Sequence, residues 1–207
     1  MLSIFKKKDV KNTRGLSYYD RVSLVHNLND LISVTNPESV QQHNTSETIK
    51  YNGVALSEIT EEKVMDMFDK PDFVIDEVET QKDYKVMFYR HTVDKFNFLL
   101  QFHFYKSHFF FVSNTISTAG PLSNADTEKL IQRLATKYGL DLKRDARKNY
   151  DIKITDKSNN IIKIIDEVSF KMNYINNSAT NQQLMNNPDF FSTEPEEDTE
   201  AQIDDYI

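Results

Sequence analysis

The sequence contains no cysteine. Disulfides, thiolate nucleophiles and cysteine-based zinc sites are therefore excluded. Glycine and proline are scarce, at 4 and 5 of 207 residues, which sets aside collagen-like and low-complexity chains. So few glycines cannot build a glycine-rich loop that cradles phosphate. No apolar run approaches the roughly 20 residues of a membrane-spanning helix. Residues 1–9 (MLSIFKKKD) place apolar side chains before lysines, the reverse of a secretory signal. A cytoplasmic chain with no transmembrane segment is expected. The other use of this stretch is a weak peripheral membrane contact through Leu2, Ile4, Phe5 and the lysines.

Basic residues are missing altogether after Lys171. Residues 189–207 carry eight acids and no base, which leaves 24 acids against 25 bases in the rest. The net charge of −7 thus belongs to the tail, and the body is nearly neutral. Such a body lacks the basic excess that phosphate-backbone binding requires. Residues 177–207 are rich in Asn, Gln, Thr, Ser, Pro and Glu. They cannot bury enough apolar area to offset their ordering entropy, so a disordered acidic tail is expected.

What is present is apolar periodicity. Residues 1–16 read as a basic lead. Val22, Val25, Leu28, Leu31 and Ile32 have helical spacing, with Ser17 available as N-cap and Asn36-Pro37 as the stop. Residues 36–50 read as a polar linker. Residues 59–68 read as a short helix capped by Thr60, with Glu61 and Glu62 in its first turn and Pro71 after it. Alternation then predicts strands through Tyr84, Val86 and Phe88, through Phe96, Phe98 and Leu100, and over 109–116 beyond a turn at Lys106-Ser107. A second helix over 126–134 is followed by strands through Tyr150, Ile152 and Ile154, over 162–165 and over 168–175. A 66-residue offset superposes the helices and the first two strands of each set. The expected fold is α+β: an N-terminal helix and linker (1–50), two helix-plus-antiparallel-meander repeats (51–118 and 119–176), and the tail (177–207).

The stretch Ala55-Leu56-Ser57-Glu58-Ile59-Thr60 to Phe68-Asp69-Lys70-Pro71, followed by the strand at Tyr84 to Tyr89, resembles the β-lactamase-inhibitor-protein type of fold. A single copy resembles the small outer-membrane assembly lipoproteins of the SmpA/OmlA type. Asp69 stands where those families often place glycine in a Phe-Gly-x-Pro-like turn, and the lipoprotein cysteine is absent. The resemblance implies a non-catalytic module that binds another protein, often through an exposed sheet face.

Catalytic patterns do not emerge. No H-E-x-x-H, H-x-x-x-H or G-x-S-x-G motif occurs. His103 and His108 flank a turn as potential cross-strand neighbours, which falls short of a metal-ligand set. Asp76, Glu77 and Glu79 read as a charged loop, not as an acid–base pair. No cofactor or metal is expected. The aromatic stretch 95–112 either fills a core or forms an adhesive face. If it is exposed, Phe102, Phe104, Phe110 and Tyr174 are the sheet residues expected to meet a partner. In the tail, Asp204, Asp205, Tyr206 and Ile207 resemble the docking tips of single-stranded-DNA-binding proteins. The leading expectation is a protein-binding inhibitor, immunity or accessory protein. A single-stranded nucleic-acid accessory protein with a self-masking tail, and a small enzyme with an unfamiliar site, are the alternatives. Self-association through sheet edges stays open.

Overall fold

The computed structural model describes residues 28–78, 81–142 and 149–187. The basic lead and the acidic tail tip, with Asp204, Asp205, Tyr206 and Ile207, lie outside these residues. The described chain is α+β. Helix α1 (Leu28–Thr35) is followed by β1 (Gln41–Asn44) and a small hairpin of β2 (Lys50–Tyr51) and β3 (Val54–Ala55). Then come α2 (Glu61–Phe68), β4 (Phe73–Val78), β5 (Gln81–Val93), β6 (Phe96–Tyr105) and β7 (His108–Ser117). Helix α3 (Asn124–Tyr138), β8 (Asp151–Thr155), β9 (Ile161–Asp166), β10 (Phe170–Ile175) and α4 (Ala179–Met185) complete it.

Eight strands form one sheet in the order β1-β8-β9-β10-β7-β6-β5-β4. All pairings are antiparallel except β1 with β8. The predicted meanders β5–β7 and β8–β10 therefore lie side by side, joined through β7 and β10.

Local chemistry explains the helix ends. The Thr60 hydroxyl accepts from the Lys63 N–H at 3.2 Å and caps α2. Ser123 does the same for α3 toward the Asp126 N–H. Gly139, with φ 63°, closes α3, and the Leu140 N–H returns to the Ala135 carbonyl at 2.9 Å. The β6–β7 turn is two residues long, and Lys106 and Ser107 both hold positive φ (46° and 61°), the twist that a tight hairpin selects.

Each sheet face has its own core. The first packs Met87, Leu100, Phe102, Val112, Ile152, Ile164 and Tyr174 under Val64 of α2 and Ile131, Leu134 and Tyr138 of α3. The second packs Tyr84, Val86, Phe88, Phe111, Ile161 and Ile175 beneath Leu31 of α1, with Leu184 and Met185 of α4 alongside.

Several sequence expectations change. The linker 36–50 contains β1, whose polar QQHN pairs by backbone with β8. Asp76 sits in β4, an edge strand with a register shift between Asp76 and Val78, not in a loop. The first residues assigned to the tail form α4. Its Asn181 Nδ2 donates to the Phe109 and Asn176 carbonyls at 2.9 Å each. The single 66-residue offset also fails at the first strand. Tyr84, Val86 and Phe88 belong to the second core, whereas Tyr150, Ile152 and Ile154 belong to the first. Because strand side chains alternate faces, that offset matches side chains that point to opposite faces of the sheet.

Candidate binding surface

The four sheet residues nominated for partner contact are core. Phe102, Phe104 and Phe110 are fully buried and Tyr174 nearly so. Two helix layers explain this, since the aromatic strands β6 and β7 lie mid-sheet with bulk on both faces. Phe102 packs edge-on to Tyr51 at 5.4 Å between ring centroids, and Tyr51 in turn meets Tyr174 at 5.1 Å.

The two turn-flanking histidines also part company. His103 pairs across the strands with Phe111, and His108 with Tyr105. His103 is fully buried and its ring stacks on Phe111 at 3.9 Å. Its Nδ1 lies 2.5 Å from the Tyr84 hydroxyl, and Nε2 meets no hydrogen-bond partner among the described residues. Burial pushes its pKa down to about 3, so the ring is neutral. Among the described residues no group of three or more His, Asp or Glu is placed to hold a metal ion.

Strand register reveals a feature that no sequence window contains. On the second face, Lys153, Lys163, Asn173, Ser113 and Gln101 stand in one row across β8, β9, β10, β7 and β6. The neighbouring row runs Asp151, Ile165, Lys171, Thr115, Leu99 and Arg90. The second face is thus apolar beneath α1 and α4 and mostly polar beyond them, with Ile165 and Leu99 as its apolar members.

Lys163 is almost fully buried. Its ammonium donates to the Glu38 carbonyl at 2.6 Å and pairs with Asp151. Ser39 donates to the same carboxylate at 2.9 Å. Burial opposes ionisation of Asp151, but the bonds from Lys163 and Ser39 outweigh it and hold its pKa below the usual carboxylate range. Lys171 shifts downward because burial disfavours its charge, with Glu167 pulling the other way.

At the end of the sheet, with residues of both faces, lies a groove of about 700 Å³. Its walls come from β5 (Arg90, His91, Thr92), β6 (Asn97, Phe98, Leu99), β7 (Thr115, Ile116, Ser117), the loop at Gly120, Pro121 and Leu122, and the β9–β10 turn at 166–170. The lining is mostly apolar and hydroxylic. Val168, at the tip of that turn, is 97% exposed. A smaller cavity of about 290 Å³ shares His91 and Phe98 and adds Phe68, Leu100 and the 51% exposed Val93. Such a groove holds apolar side chains and offers hydroxyl and amide partners at its rim. Sequence reasoning missed it, because its walls are short pieces spread over 81 residues of chain, from Arg90 to Phe170.

Among the described residues no helix is long and apolar enough to cross a membrane. Compared with protein-family models, with curated proteins and with solved structures, the chain matches none of them.

Proposed function

We propose that this chain is a non-catalytic protein-binding module of the inhibitor, immunity or accessory class. Its partner offers a short apolar segment to the groove at the end of β5, β6 and β7. The observation that carries this reading is the open groove, with Val168 held almost fully in solvent at its rim. An open, mostly apolar groove with a few polar groups converging on it is the usual form of a binding site. On this reading the body consists of two related helix-plus-meander units of the β-lactamase-inhibitor-protein type. A nucleic-acid reading has less support, because Phe102, Phe104, Phe110 and Phe111, the rings that would stack on bases, are in the core.

Selection of displayed random peptides on the full chain tests the reading. Enriched peptides are expected to share apolar anchors. Val168→Asp is expected to weaken them at least about ten-fold, the equivalent of about 1.4 kcal/mol. Val40→Asp, at a 72% exposed site on the β1 side, leaves binding unchanged. Peptides that bind Val168→Asp as well as the parent chain refute the groove as the docking site.

A further inference from the structure

The lysines of the second face pose an electrostatic problem. Lys153 stands directly opposite Lys163 on the next strand, and Lys171 lies diagonally beyond it on β10. Like charges at such positions repel. Asp151 answers Lys163 alone. Among the described residues neither Lys153 nor Lys171 has an ion pair within 4.0 Å, although Glu167 attracts Lys171 from the β9–β10 turn. Both are half-buried on this mixed half-face.

The last described residues lie near them. Helix α4 lies against the same sheet face, and its end meets the end of α1: the Thr35 hydroxyl lies 3.3 Å from the Met185 sulfur. Asn36 and Asn186 line one cleft. From Asn36 only three residues lead to Ser39, which is fixed to Asp151 and so to the lysine row. That span is at most roughly 10 Å. Residues 188–207 supply eight acids and no base, five of them between Glu194 and Glu200. The seven residues from Asn187 to Glu194 reach roughly 23 Å when extended. Tethering gives such a segment a millimolar effective concentration, enough to populate individually weak charge contacts.

We propose that the acidic segment 189–207 docks in cis on the lysine half-face, over Lys153 and Lys171. It supplies carboxylates that pair with those two lysines, which have no ion pair within 4.0 Å among the described residues, and shields a basic patch on a nearly neutral body from other anions. This proposal is independent of the groove reading.

Amine acylation read by mass spectrometry tests it on the full chain. The comparison is a full-length variant with Asp189→Asn, Glu194→Gln and the matching amide changes at 196, 197, 198, 200, 204 and 205. No described element is altered by these changes. Acylation of Lys153 and Lys171 is expected to rise several-fold in the variant, while the exposed Lys129 on α3 reacts equally in both. Salt at about 0.5 M, which shortens the screening length below 5 Å, is expected to raise the parent chain to the variant's rate. Equal rates for Lys153 and Lys171 in the two proteins at low salt overturn the proposal. A rise shared by Lys129 also overturns it, since it reports a general charge effect and not docking.

Discussion

At the scale of single residues the most consequential side chain is His103. It stacks on Phe111 and meets the Tyr84 hydroxyl in a site closed to water. Burial lowers its pKa to about 3 in the fold, against an ordinary value near 6.5 in the unfolded chain. The neutral ring is the folded form, so its contribution is fully present above pH 6.5 and is lost as pH falls toward 3. Between pH 7 and pH 5 the unfolded chain gains a proton that the folded chain refuses, which costs about 2 kcal/mol. Denaturant titrations of the parent chain and of His103→Gln at the two pH values give the test. The parent is expected to lose about 2 kcal/mol more than the variant over that range. The other histidines are common to both proteins and cancel. Equal losses mean that His103 ionises within the fold.

At the scale of elements, the stop of α2 carries a measurable strain. Asp69 follows the helix with φ 63° and ψ −152°, a region that glycine enters freely and other residues enter at about 1–3 kcal/mol. Asp69→Gly is therefore expected to raise stability by about 1 kcal/mol. Asp69→Ala, which removes the carboxylate but keeps Cβ, should give no gain. Midpoints of urea unfolding distinguish the two, and a gain shared by both variants assigns the effect to the lost charge. The same stop was legible in the sequence from Pro71 and the apolar helix before it. So were α3 and strands β5 to β10, where aromatic and β-branched residues alternate. The elements that escaped are those that tertiary partners impose. β1 is the polar run QQHN, held by backbone pairing to β8. The seven residues of α4 are too few to be helical alone, and they depend on Asn181 bonding to Phe109 and on Leu184 and Met185 reaching the second core. The groove and the lysine row were illegible for a related reason. Each strand contributes one or two side chains, and only the pairing register brings them together.

At the scale of the whole molecule, the question is whether the halves at 51–118 and 119–176 are independent. Two features tie them together, and a third fastens the preceding segment to the second half. The pairing of β7 with β10 runs over six residues, from Phe170 with Ile116 to Ile175 with Phe111. The first core is continuous across that seam, with Tyr51 wedged between Phe102 of one half and Tyr174 of the other. Residues before α2 clasp the second half: the Thr45 hydroxyl donates to the Tyr138 carbonyl at 2.8 Å, and the Ile49 N–H donates to the Asp156 carboxylate at 2.9 Å. Asp156 also accepts from the Ser158 and Asn160 N–H groups, so the β8–β9 turn and the N-terminal segment share one buried carboxylate. Cutting the sheet at β7 would bare a central strand that includes Val112 and Ile116, both buried in the intact sheet. It would also leave a row of backbone donors and acceptors as an open sheet edge. The body is therefore expected to unfold as one cooperative unit. Native-state hydrogen exchange checks this directly. The slowest amides of β6 and of β9 should report opening free energies that agree within about 1 kcal/mol. They should also fall together when Phe102→Ala, in one half, removes about 3–5 kcal/mol of packing. A substitution in β6 that leaves the β9 amides untouched would instead divide the sheet into two separately stable units.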